Sequence, residues 1–170
     1  MYNTEPQTIW HKIEYSAVGD FLATSGWAFP TIETIHVIAL VTVVGAIAVM
    51  DLRLLGLASK DSKITQVSQD TIRLTWMAFV LAAITGLLMF TSKASSYMIN
   101  PYFLIKMGLL ALAGLNMAYF HFVTWKKVGE WDSAADIPTV VKLSGALSLI
   151  FWVVIVFFGR AIGFTLGMFY

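Results

Sequence analysis

Four stretches of this chain lack Asp, Glu, Lys and Arg for 17 to 19 residues each: Thr34–Met50, Leu74–Ser92, Met107–Trp125 and Leu143–Gly159. With their flanking helix formers, each approaches the ~20 residues that a helix needs to cross a bilayer. Inside hydrocarbon every backbone N–H and C=O needs an internal partner, so uncharged stretches of this length must be helices. Packing all four inside a soluble domain would need polar surface that this chain lacks. Only 12% of its 170 residues are charged while 58% are hydrophobic, against roughly 25% charged in ordinary soluble domains. The fold class expected is therefore all-α: an integral membrane four-helix bundle with an N-terminal amphipathic interfacial helix.

Local signals set the boundaries. Pro30, Pro101 and Pro138 fall where the first, third and fourth spans should start, with Asn100 and Asp136 as nearby N-cap residues. Asp51-Leu52-Arg53 closes the first span, and polar linkers run over Ser59–Asp70 and Lys126–Asp136. The spacing predicts spans at about 30–53, 72–92, 101–125 and 138–160, together forming a membrane domain over residues 30–170. Residues 1–29 form a separate segment without the basic start and continuous apolar core of a signal peptide. In it Ile9, Ile13, Ala17 and Phe21 recur at helical spacing, with Lys12, Glu14, Tyr15 and Asp20 off the stripe. Such a helix lies on a membrane surface with Trp10 and Trp27 at headgroup level, or docks a partner subunit.

Lys and Arg orient the bundle. One side carries Arg53, Lys60, Lys63, Arg73, Lys126, Lys127 and Lys142; the other carries Lys12, Lys93, Lys106 and Arg160. The bias places both termini in the periplasm of a bacterial inner membrane, with the larger loops in the cytoplasm. A net charge of +1 supplies no basic field for nucleic acid. The absence of Cys excludes disulfides and thiolate metal sites.

Ionisable residues within spans are costly and mark function. At ~1.5 Å per residue, His36 and Lys106 lie roughly 8–9 Å below the outer surface. Glu33 is one turn above His36, and Arg160 reaches a similar level near the end of the fourth span. His36, Lys106, Glu33 and Arg160 thus form a candidate polar layer, with small residues nearby at Ala82, Ala83, Gly86, Gly108 and Gly159. Three readings fit it. Imidazole is a common axial ligand of haem iron, and Arg160 could pair with a propionate. An internal salt-bridge network of Glu33, Lys106 and Arg160 with His36 beside it is the structural alternative. A copper or small-solute transport site is the third, drawing on the eight Met residues. His121 lies 15 residues beyond Lys106, roughly 22 Å deeper, and belongs with Trp125 and Lys126 at the inner interface. His11 is expected to be exposed and Asn116 to bond between helices.

The run His36-Val-Ile-Ala-Leu, followed by Gly45 and by Arg53-Leu54, resembles the first span of the HemJ-type membrane protoporphyrinogen IX oxidases. Tyr102-Phe-Leu-Ile-Lys106-Met-Gly-Leu-Leu resembles the lysine-bearing span of that family, and the copper-resistance-D membrane proteins are similar more loosely. The likeness covers roughly residues 30–125 and departs at Asp51-Leu52 and in the extra N-terminal segment. It implies a small four-helix protein binding haem b, with His36 as axial ligand of the metal and Lys106 as second ligand or near-haem partner. The function it implies is redox: electron transfer with a quinol, a porphyrinogen or a partner redox subunit at the periplasmic face, or protoporphyrinogen oxidation itself. Membership of an oligomer or larger complex is expected with it.

Overall fold

The computed structural model describes residues 8–133 and 137–169, and every regular element among them is helical. Two short helices come first, α1 (Ile9–Glu14) and α2 (Ala17–Thr24), each started by a side-chain cap, from Thr8 and Ser16. The first span, α3 (Ala28–Leu54), is followed by α4 (Ile64–Thr91), a short α5 (Ala94–Ile99) and α6 (Pro101–Tyr119). α6 continues through a π-helical turn at Phe120–Thr124, a 3₁₀ turn at Trp125–Lys127 and α7 (Val128–Trp131). The last span is α8 (Thr139–Thr165). Four helices, with Pro101–Trp131 counted as one, are long and apolar enough to cross a membrane. The chain is an all-α, multi-pass membrane bundle.

The helix ends follow their local chemistry. Asn100 is wholly buried, and its side-chain oxygen accepts from Tyr102 N at 2.9 Å and Phe103 N at 3.4 Å, so α6 starts where the Asn-Pro pair requires. Pro30 falls in the first turn of α3, where its missing N–H costs no bond. Two boundaries differ from expectation. α4 begins at Ile64, two turns before 72, because Ile64, Val67 and Ser68 bury one face while Gln66, Gln69, Asp70 and Arg73 stay exposed. The third span runs on to Trp131, where Asp132 fastens it: its carboxylate accepts from Thr65 N and Thr65 Oγ1, both at 2.8 Å. Asp136, expected as a cap, lies outside the described residues, and Pro138 precedes the first turn of α8.

α3 packs against α4 and α6 against α8, and the two hairpins meet along α3 and α8. α4 and α6 stand apart, bridged at one end by α5. Val43, Ala78, Ala113, Trp152 and Ile155 fill the middle of the bundle. Leu54, Ile64, Phe120, Trp131, Ile137 and Val141 fill the end away from His36. Val41, Leu87, Leu115 and Val153 point outward and are exposed, a placement natural in lipid and costly in water.

The N-terminal segment is two helices rather than one, and its docking face is not the expected stripe. Ile9, Ala17 and Phe21 of that stripe are exposed, whereas Gly19 and Leu22 are buried. A methyl group on Gly19 would lie 2.7 Å from the Thr91 carbonyl, so only glycine lets α2 cross the end of α4 this closely. Trp10 meets Phe90 edge-on at 6.0 Å, and Glu14 accepts from the backbone and hydroxyl of Ser95. α1 and α2 therefore cover the α4–α5 corner, leaving Ile9, Ala17 and Phe21 of the apolar stripe exposed.

Candidate functional site

His36 projects from α3 toward α4. Its Nδ1 is 2.9 Å from Thr85 Oγ1, and the Thr85 hydroxyl donates its own proton to the Leu81 carbonyl at 2.7 Å. With that proton committed, the oxygen can only accept, so Nδ1 carries the hydrogen and Nε2 keeps its lone pair. A hydrogen bond that fixes the ring and its tautomer in this way is the usual support of a metal-ligating histidine. Gly86, next along α4, lets the ring lie flat against the helix: a methyl group there would be 3.1 Å from His36 Cε1.

Lys106 enters from α6. Its position follows from the Asn100-Pro101 start, which sets the helix register. The aliphatic stem crosses Gly159 of α8, with Cδ 3.9 Å from where a Cβ would stand, and Nζ lies 5.8 Å from the centre of the Phe103 ring. That is at the edge of cation–π reach, ~6 Å. His36 and Lys106 are both half-buried.

Glu33 and Arg160 do not join them. Both are exposed, and the Arg160 guanidinium stacks over Phe164 at 4.7 Å. Among the described residues no Lys, Arg or His nitrogen lies within 4.0 Å of a carboxylate oxygen, so the expected Glu33–Lys106–Arg160 salt-bridge network is not formed. Glu33 lies one turn from His36 on the same face of α3, but its side chain is exposed, and Arg160 turns to the Phe164 ring one turn along α8.

Around His36 and Lys106 the walls are clear. Phe90, Tyr97 and Phe103 cluster with ring centres 5.2 to 5.8 Å apart, closing the end of the bundle at α4, α5 and α6. Val43 and Trp152 of the middle core form the floor. Between them, among the described residues, no buried hydrophobic cluster fills the bundle. The aromatic roof, the Trp152 floor and Thr85 were not legible as site residues. A threonine one position before a glycine on the facing span was the available signal for Thr85.

The other histidines lie elsewhere. His121 is exposed in the π turn, its Nδ1 3.1 Å from the Met117 carbonyl and its ring stacked 5.9 Å from Trp125. His11 is half-buried and pairs with Thr8 Oγ1 at 2.9 Å. Asn116 does bond between helices, donating to the Ser144 carbonyl at 3.0 Å and accepting from its hydroxyl at 3.1 Å. No group of three or more His, Cys, Asp or Glu gathers among the described residues to enclose a metal ion.

Neither the curated proteins nor the solved structures include a match to this chain. A family model described as a family of unknown function, DUF6644, matches residues 9–165, almost the whole length, and the chain belongs to that family.

Proposed function

We propose that this chain is a haem b-binding membrane protein with a one-electron redox role, His36 being the axial ligand and its end of the bundle facing the periplasm. The single observation that supports this most is the state of His36, an imidazole within a span whose Nδ1 is tied to Thr85, which leaves Nε2 its lone pair, and whose ring lies against Gly86 of α4. A porphyrin supplies its own equatorial nitrogens, so one protein imidazole suffices where a closed metal site needs three or four side chains. The residues present fit that requirement. The aromatic side chains of Phe90 and Phe103 suit a flat apolar ring, while Gly86 and Gly159 make room for the His36 ring and the Lys106 stem.

Haem b, when bound, supplies single-electron exchange with a donor such as a quinol, a porphyrinogen or a partner redox subunit. This chain's own residues hold and tune it. Thr85 keeps the imidazole in the Nδ1–H tautomer. Lys106, with no carboxylate of the described residues within ion-pair distance, is the counter-charge for a propionate rather than an iron ligand, since ligation would require it to lose its proton. Glu33 and Arg160, exposed at the rim, stay at headgroup level.

Titration of detergent-purified protein with haem tests the reading. Wild type and His121→Ala are expected to take up about one haem per chain, as one axial histidine requires, and His36→Ala to lose most of it. Equal uptake by His36→Ala and wild type would remove His36 from the site.

A further inference from the structure

At the opposite end of α3 a second ionisable group is buried without its charge being answered. Asp51 is 5% exposed, and its Oδ2 has no hydrogen-bond partner among the described residues. It sits against α8, where Gly145 is pressed so close that a methyl group there would lie 3.3 Å from the Asp51 carbonyl. The Asn116–Ser144 pair joins α6 to α8 at the same level, but each of those side chains is already satisfied by the other. Among the described residues no Lys, Arg or His nitrogen comes within 4.0 Å of the Asp51 carboxylate, so Arg53 on α3, Arg73 on α4 and Lys142 on α8 do not pair with it, and Asp70 on α4 is exposed. Arg53, itself buried, spends its Nε on the Ser62 carbonyl at 2.9 Å.

A structural aspartate in this position would have found donors for both oxygens, as Asp132 does with Thr65. An ionised carboxylate left bare on one side, inside a bundle facing hydrocarbon, is the costliest state such a group can adopt. Taking up a proton removes the charge and leaves only a weakly satisfied hydroxyl. Apolar clusters lie on both sides of it, Val43, Ala78, Ala113, Trp152 and Ile155 toward the His36 layer and Leu54, Ile64, Phe120, Trp131, Ile137 and Val141 toward the other end. The polar connection that leaves this level is the buried Arg53, which donates to the Ser62 carbonyl of the α3–α4 loop.

We propose that Asp51 is a proton-binding site: its carboxylate takes up a proton from the α3–α4 loop side to become a neutral acid, and returns it to the same side. The step moves one proton and no electrons, and it holds whether or not His36 binds haem.

Dicyclohexylcarbodiimide, which adds to protonated carboxyl groups in apolar surroundings, tests this on the full chain in membranes. An adduct mapped to Asp51 by peptide mass spectrometry, fading as pH rises and indifferent to sodium, is the expected result. No adduct at Asp51 at any pH, or one suppressed by sodium instead of by alkali, would overturn it. Infrared spectra provide a second readout. A protonated-carboxyl C=O band should disappear on raising pH and be missing from Asp51→Asn. A band unchanged from acid to alkaline conditions would make Asp51 a fixed neutral group and equally overturn the proposal.

Discussion

His36 owes its orientation to two neighbours on α4 that do different things. Thr85 fixes which nitrogen holds the proton, and Gly86 provides the space in which the ring lies. They separate cleanly by mutation. Thr85→Val keeps the shape and removes the acceptor, so haem affinity should fall by about 10-fold or more, the usual cost of losing such a support. Gly86→Ala keeps the hydrogen bond but places a methyl group 3.1 Å from Cε1, which moves the ring. A shifted Soret band is expected from Gly86→Ala, measured beside Arg160→Gln as a control whose exposed side chain leaves the spectrum unchanged. His36 and Lys106 were legible from sequence because charge inside a span stands out against its surroundings. Glu33 and Arg160 stand at the same depth, and only the exposure of their side chains separates them from His36 and Lys106. The role of Thr85 and the burial of Asp51, which marks the close of the first span, were not legible because nothing in a one-dimensional pattern reveals a hydroxyl's partner or a carboxylate's lack of one.

Helix ends show the same division. The Asn100-Pro101 start was legible because a cap and a proline at the first helical position are local chemistry. Asn100→Ala removes the cap and the 3.1 Å bond from Nδ2 to Thr165 Oγ1, and should lower stability by about 1–2 kcal/mol. Thermal unfolding in detergent would register that loss; an unchanged midpoint would contradict the capping role. The early start of α4, the extension to Trp131 and the docking of α2 were not legible, since each depends on a tertiary contact. For α4 and α7 the contact is Asp132 on Thr65. Burial alone would raise the Asp132 carboxyl, but the Thr65 backbone and hydroxyl bonds and the nearby Lys63 outweigh it and hold the group below the usual carboxylate range. Its folded value being depressed, Asp132 contributes stability above the unfolded value of ~3.9 and loses it as pH falls through the lower folded one. The contact between Thr65 and Asp132 should therefore loosen only below about pH 4. Hydrogen exchange at Thr65 N checks this, and Asp132→Asn should show the faster exchange already at neutral pH.

For the whole molecule, the bundle was legible because a bilayer leaves a chain so few options: four uncharged stretches become four packed helices. Its asymmetry was not. The hairpins meet along α3 and α8 and stand apart between α4 and α6, with apolar cores in the middle and at the Asp51 end. That arrangement leaves the His36 end to polar and aromatic side chains, and the proposed function depends on which way it faces. The Lys and Arg distribution predicts that a cysteine at exposed Asp61 resists an impermeant thiol reagent in intact cells while one at exposed Thr24 reacts. The reverse would turn the bundle over and place the His36 layer on the cytoplasmic side. The central claim rests on the visible spectrum of the protein purified in mild detergent from haem-replete cells. A Soret band with the reduced α and β bands of a b-type haem, at about one haem per chain, is the result expected of a single axial histidine. Protein that is folded, monodisperse and colourless would contradict it.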